Sequence, residues 1–171
     1  RKFGRGPRPL LLSVRSGAAE SMPGMLDTVL NLGINDAVHD ALASSATVEF
    51  ASDTRARFGA MYRRIVLGSD ASAAIPDDPL IQLRGAIEAV FASWNSPRAQ
   101  AYRAHHGLDE GGGTAVVVQA MVFGNLQRDS GTGVLFSRNP ATGEDEPMGE
   151  WLPGAQGEDV VSGAFDCLPL D

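Results

Sequence analysis

Arg15 follows directly on an apolar run, Leu10-Leu11-Leu12-Ser13-Val14, which reads as a buried strand because it is short, bounded by Pro9 and soon followed by Gly17. A guanidinium fixed at a strand end presents a planar fork that matches phosphate oxygens. Two glycine-rich turns accompany it: Ser21-Met22-Pro23-Gly24-Met25 and Ser130-Gly131-Thr132-Gly133. Such turns let backbone N–H groups approach an anion with no Cβ in the way. Either turn alone reads first as a structural turn, and only together with Arg15 do they tilt toward phosphate. Neither is a Walker A or dinucleotide fingerprint, since no Gly-Lys-Ser/Thr or G-x-G-x-x-G opens a helix.

Gln119 lies in the apolar run Thr114 through Phe123, where a polar amide must find partners or cost about 1–3 kcal/mol. It reads as a satisfied core amide or as a hydrogen-bonding partner for a nucleobase. Glu158, after Gly157, reads as an exposed carboxylate, a ribose acceptor or a metal ligand, and Glu150 has the same ambiguity. Glu144-Asp145-Glu146 reads as a solvated turn. His39, His105 and His106 have no acid or nucleophile in motif spacing, which excludes triad-type chemistry from the reading.

The elements that must position these groups alternate in character. Residues 27–33 read as one or two helical turns ended by Gly33. Residues 35–106 read as helical. Val38, Ala41 and Leu42 begin one segment, and Phe58, Met61, Tyr62 and Ile65 follow a cap at Ser52 or Asp53. Asp78 caps and Pro79 opens a helix with Leu80, Leu83, Ile87, Val90, Phe91 and Trp94 on its inner face, and Ser96 caps another that Gly107 closes. Residues 114–123 read as a long interior strand pairing with the strand at 134–137, and residues 149–152 and 156–163 read as further strands. This is an α+β chain with antiparallel strands: β-rich parts at 1–34 and 107–171 and a small helical subdomain at 35–106.

Composition narrows the function classes. Hydrophobic residues at 43% and charged residues at 20% are a globular balance. Fourteen Lys and Arg against 21 Asp and Glu give a net charge of −7, which argues against binding nucleic acid or an anionic membrane by bulk charge. The single cysteine, Cys167, excludes an internal disulfide and a thiolate zinc site. No apolar stretch has the length of a membrane span, and a cytoplasmic location is the expectation.

The motifs also carry a resemblance. Residues 14–33, Val-Arg-Ser-Gly-Ala-Ala-Glu-Ser-Met-Pro-Gly-Met-Leu-Asp-Thr-Val-Leu-Asn-Leu-Gly, resemble the ATP-binding signature of the pyruvate, phosphate dikinase family. Val-Gln-Ala-Met-Val-Phe-Gly-Asn at 118–125, Ser-Gly-Thr-Gly at 130–133, Asn-Pro-Ala-Thr-Gly-Glu at 139–144 and Ala-Gln-Gly-Glu-Asp-Val-Val at 155–161 extend it from about residue 10 to 163. Related phosphoenolpyruvate synthases usually have Val-Arg-Ser-Ser-Ala-Thr in place of Val-Arg-Ser-Gly-Ala-Ala and lack the Ser-Met-Pro-Gly-Met run.

The resemblance implies an ATP-grasp nucleotide-binding domain, with ATP between two β-rich lobes. On that basis Arg15 contacts the phosphates, the loop at Gly24 and Met25 folds over them, Thr132 and Gly133 polarise the terminal phosphates, Gln119 faces adenine and Glu158 the ribose. It implies a parent phosphotransferase that moves a phosphoryl group from ATP through a phosphohistidine to pyruvate. Its partners are ATP, Mg²⁺, inorganic phosphate, a swivelling phosphohistidine domain and a pyruvate/phosphoenolpyruvate domain. A homo-oligomer is left open. The family's Gly-Gly-Lys-Gly-Ala-Asn, Gln-Thr-Arg and Thr-Ser-His segments are absent from these 171 residues. Hence no catalytic residue and no metal ligand is expected within them, and the stretch alone is expected to be inactive. The helical part is short for the family between Ile65 and Pro76, and Ala164-Phe165-Asp166-Cys167 stands where Arg-Thr-Pro is common. The alternative is a non-catalytic nucleotide-binding or interaction module that lacks the transfer domains.

Overall fold

The computed structural model describes residues 1–68, 73–109 and 111–170 and divides into two compact units, Arg1–Met121 and Val122–Asp171. In the first, two short parallel strands, β1 (Lys2–Phe3) and β2 (Pro9–Leu10), precede β3 (Leu12–Ala18) and β4 (Thr28–Leu32). Helices α1 (Asp36–Ser45), α2 (Val48–Ile65), α3 (Pro79–Ala92) and α4 (Pro97–His106) follow, with a 3-10 turn at Ser93–Asn95, and β5 (Thr114–Ala120) returns to the sheet. The sheet order is β4-β3-β5, antiparallel throughout. The second unit holds a three-stranded antiparallel sheet of β6 (Gly131–Phe136), β7 (Met148–Pro153) and β8 (Leu168–Pro169), with α5 (Gly157–Val161) on β6 and β7. The stretch between Ile65 and Pro76 falls partly on residues 69–72, outside the described residues.

The helix ends follow local chemistry. Asp78 accepts from the N–H groups of Leu80 and Ile81 with Pro79 at the first helical position, Ser96 accepts from Ala99, and Gly107 closes α4 in the left-handed region at φ 63°. Helix α2 is capped by Thr47, not by Ser52 or Asp53, so it begins about one and a half turns earlier than the apolar spacing predicts.

Several expectations are corrected. Residues 28–32 form a strand, not a helical turn: Thr28 and Val29 are β-branched, Val29 and Leu32 are fully buried, and pairing with β3 outweighs local preference. Leu30 and Asn31 together oppose the single Ser13, a bulge that Asn31 accommodates at φ 59°. β5 is an edge strand paired with β3, not with β6, and Val117 and Val118 remain about half exposed. Residues 157–161 form a helix whose capping box joins the Gln156 N–H to the Asp159 carboxylate at 2.9 Å, so the strand expected at 156–163 is absent there.

Helix α3 is rotated from the face its large apolar residues mark: Val90 is buried as expected and Leu83, Ile87 and Trp94 are half-buried, but Gln82 and Ala86 are the other buried positions while Leu80 is 67% and Phe91 49% exposed. The reason is polar. Gln82 accepts from the Gly33 N–H at 2.9 Å and donates to the carbonyls of Ile34 at 3.0 Å and Pro76 at 2.7 Å, tying α3 to the end of β4. Gln82→Leu removes all three bonds and leaves buried backbone groups unpaired, so unfolding in urea is expected to show a loss of about 2–4 kcal/mol.

Candidate functional site

The first unit places two of the expected ligand-binding side chains on one surface. Strand β3 runs on to Ala18, so Arg15 sits mid-strand and not at a strand end. Its register partners are Thr28 on β4 and Val117 on β5, while Ser13 pairs with Gln119. Alternation along the strands therefore puts Arg15 and Gln119 on the same face as diagonal neighbours, about 7–8 Å apart in such a pairing. Both are exposed. Gln119 is thus not a buried core amide. Its backbone carbonyl accepts from Ser13 Oγ at 3.4 Å, and its side-chain amide has no hydrogen-bond partner among the described residues. The Arg15 guanidinium is likewise without an ion-pair partner among them. A free fork and a free amide on one face can take an anion and a polar ring edge.

The connection from β3 to β4 carries the first glycine turn. Met25 N–H donates to the Met22 carbonyl at 3.1 Å, with Pro23 and Gly24 between them and Gly24 at φ 71°. Proline followed by a positive-φ glycine is the pattern of a type II turn. Met22 is buried and anchors the turn, whereas a Cβ on Gly24 would meet nothing within 4 Å. Glycine is needed there for its backbone and not for space. Arg98 Nε donates to the Met25 carbonyl at 3.0 Å and its terminal nitrogen to the Asp27 carboxylate, while Asp27 N–H donates to Ser93 Oγ at 3.1 Å. Sequence reasoning missed Arg98. It lies 71 residues from Asp27, and no local pattern links the two.

The second unit holds Thr132, Gly133 and Glu158. The Ser-Gly-Thr-Gly motif is the start of strand β6, with Thr132 opposite Leu152 and Gly133 opposite Trp151. Its glycines answer a steric demand: a Cβ on Gly131 would lie 3.0 Å from the Trp151 ring, and one on Gly133 would lie 2.9 Å from Trp151 Cβ. Thr132 Oγ1 donates to the Ala155 carbonyl at 2.7 Å, so its hydroxyl proton is already engaged. Gly157 sits beside Thr132, 3.9 Å from its methyl group to where a Cβ would stand, which brings the half-buried Glu158 at the start of α5 to the same corner. Gly124 is buried against Thr132 and the Ala155 carbonyl.

One further group bears on chemistry. Burial first, and then the Glu150 and Asp166 carboxylates, push the Cys167 thiol above its usual range. Among the described residues no group of three or more His, Cys, Asp or Glu side chains is placed to hold a metal ion.

Comparison with known proteins fixes the family. The model for "Pyruvate phosphate dikinase, AMP/ATP-binding domain" matches residues 1–167. The chain belongs to this family. It is 47% identical to the pyruvate, phosphate dikinase of Rhizobium meliloti (strain 1021) over 95% of its own length and 23% of the relative's. It is 47% identical to pyruvate, phosphate dikinase 1, chloroplastic, of Arabidopsis thaliana (96% and 21%) and 45% identical to the protein of that name from Oryza sativa subsp. japonica (99% and 22%). The chain therefore spans less than a quarter of these relatives. With the first relative the aligned stretch is 206 residues, longer than the 171 present here, so the relative carries residues within the matched region that this chain lacks. Helices with antiparallel sheets agree with an ATP-grasp-like nucleotide-binding domain of the α+β class.

Gly124 tests the packing of the second unit. A Cβ there would stand 1.9 Å from Thr132 Oγ1 and 2.3 Å from the Ala155 carbonyl, both fixed by their mutual bond. Gly124→Ala is therefore expected to destabilise the unit by about 3 kcal/mol, near the upper end for overpacking, read as a lowered urea midpoint for residues of β6 and α5 in hydrogen exchange.

Proposed function

We propose that the chain is the ATP-binding part of a pyruvate, phosphate dikinase, whose whole protein converts ATP, inorganic phosphate and pyruvate to AMP, pyrophosphate and phosphoenolpyruvate. The observation that carries this reading is that a chain matched to the family over residues 1–167 presents Arg15 and Gln119 unpaired on one sheet face. In this reading Arg15 grips the phosphates, the N–H groups of the Gly24 and Met25 turn cover them, and Gln119 bonds the adenine edge. Thr132 and Gly133 meet the terminal phosphates, and Glu158 takes the ribose hydroxyls. Thr132 engages an anion by redirecting its proton from the Ala155 carbonyl. Phosphoryl transfer needs mainly positioning and charge neutralisation, which these groups supply in part.

Mg²⁺ is a general requirement of ATP-dependent transfer, and in this reading its ligands belong to other parts of the protein. The same holds for the phosphohistidine of a swivelling domain and for the domain that binds pyruvate. No helix among the described residues is long and apolar enough to cross a membrane. The compartment proposed is the cytoplasm, although several relatives carry "chloroplastic" in their names.

AMP formation by the full-length protein, dependent on both pyruvate and phosphate, is the expected result; its absence from cleanly folded protein sinks the reading. A non-catalytic module would bind ATP without this turnover. Arg15→Ala removes the fork and is expected to weaken ATP by more than about tenfold at unchanged stability, measured by titration calorimetry.

A further inference from the structure

The turn from Met22 to Met25 is held from behind by one side chain. Arg98, at the second position of α4, takes the Met25 carbonyl through Nε at 3.0 Å and the Asp27 carboxylate through a terminal nitrogen. The Asp27 N–H is fixed separately by Ser93 Oγ at 3.1 Å, and that hydroxyl donates to the Val90 carbonyl at 2.7 Å. The turn is thus tied to the C-terminal end of α3, the 3-10 turn and the start of α4 at once. Two physical consequences follow. A peptide group is planar and trans, so drawing the Met25 C=O toward Arg98 turns the next N–H, that of Leu26, the opposite way. And Asp27 would otherwise stand as an uncompensated carboxylate two residues after the turn, where like charge repels an anion.

We infer that Arg98 is a positioning residue for the phosphate end of the nucleotide: it orients the backbone of the turn toward an anion and cancels the Asp27 charge beside it. The inference rests on the reading of Arg15 and the Met22 to Met25 turn as a nucleotide site. Stability is not the main purpose of the pair. Arg98 is 51% and Asp27 26% exposed, and ion pairs that open to water contribute little to folding. The acid also makes the pairing more than a packing contact. A turn that needed only rigidity would be served by the Met25 and Ser93 bonds without a carboxylate in the way.

The test measures ATP dissociation constants for the full-length protein and its Arg98→Ala, Arg98→Gln, Asp27→Asn/Arg98→Ala and Arg15→Ala variants, with thermal midpoints recorded in parallel. Arg98→Ala is expected to weaken ATP about tenfold, and adding Asp27→Asn to it to recover about threefold or more, because the repelling charge has gone. A merely structural role for Arg98 would show in the thermal midpoints, which would fall with Arg98→Ala and recover with Asp27→Asn in step with binding, whereas a positioning role changes ATP binding at an unchanged midpoint. The inference is overturned if Arg98→Ala stays within about twofold of the parent protein, or if the double variant recovers less than about threefold. Should Arg98→Ala not fold, Arg98→Gln carries the same comparison, alone and combined with Asp27→Asn, since it keeps a donor for the Met25 carbonyl. Arg15→Ala separates the two levels. If it leaves ATP binding unchanged the nucleotide reading itself fails, whereas weakening there with no effect at Arg98 rejects only the role of Arg98.

Discussion

Seven consecutive residues of β3 pair with seven of β5 across roughly a hundred residues of intervening chain, and the first unit is built around that register. Leu12 to Ala18 face Ala120 back to Thr114, so the choice of partner for Arg15 decides which face Gln119 shares with it. A slip of one residue would put the guanidinium and the amide on opposite faces of the sheet. The register is pinned at both ends. The Met121 N–H donates to the Leu11 carbonyl at 2.9 Å, and the Gly17 N–H donates to Thr114 Oγ1 at 3.2 Å. In the middle Val14 is completely buried, which fixes the opposite face toward the core. The polar surface is a consequence of how the apolar one is packed.

The other side of β3 is less regular for a reason that serves the same end. The bulge at Leu30 and Asn31 gives β4 one residue more than β3 and leaves the chain leaving the sheet at Gly33, where φ is 99°. There Gln82 takes the Gly33 N–H and the Ile34 carbonyl, so the end of the strand and the start of the helical segment are satisfied by one buried side chain. A buried amide with its bonds made is a strong constraint, since each bond left unmade would cost about 1–3 kcal/mol. It rotates α3 so that Gln82 and Ala86 join Val90 on the buried side while Leu80 and Phe91 turn outward.

This explains what the sequence made legible. Caps are local chemistry, and Asp78, Ser96 and Gly107 act within a few residues of themselves, so the ends of α3 and α4 could be read directly. Strand partners are not local. The nearest strand in sequence to β5 is β6, yet β5 pairs with β3, and nothing within 114–137 records that choice. The short elements at 28–32 and 157–161 differ from the type their sequence suggests because about five residues carry too little periodicity to separate helix from strand. Among the site residues, Arg15 and Gln119 stood out as polar groups in apolar runs. Arg98 did not, because its meaning lies wholly in groups more than seventy residues away.

The two glycine motifs, alike on paper, are required for opposite reasons. Gly24 has open space around its missing Cβ and is needed for a left-handed backbone, which leaves its N–H groups at the surface. Gly131 and Gly133 lie in extended backbone and are needed because Trp151 occupies the volume above them, while Gly124 makes room for Thr132 from another side. The Trp151 indole thus substitutes for the side chains its neighbours lack, in a unit whose buried apolar side chains among the described residues are Ala155 and Val160. About fifty residues with so small a core are marginal alone, whatever their hydrogen bonding. Close packing at these glycines is therefore a large share of what orders β6: a side chain added at Gly124 would strike Thr132, and one added at Gly131 or Gly133 would strike Trp151 on the paired strand.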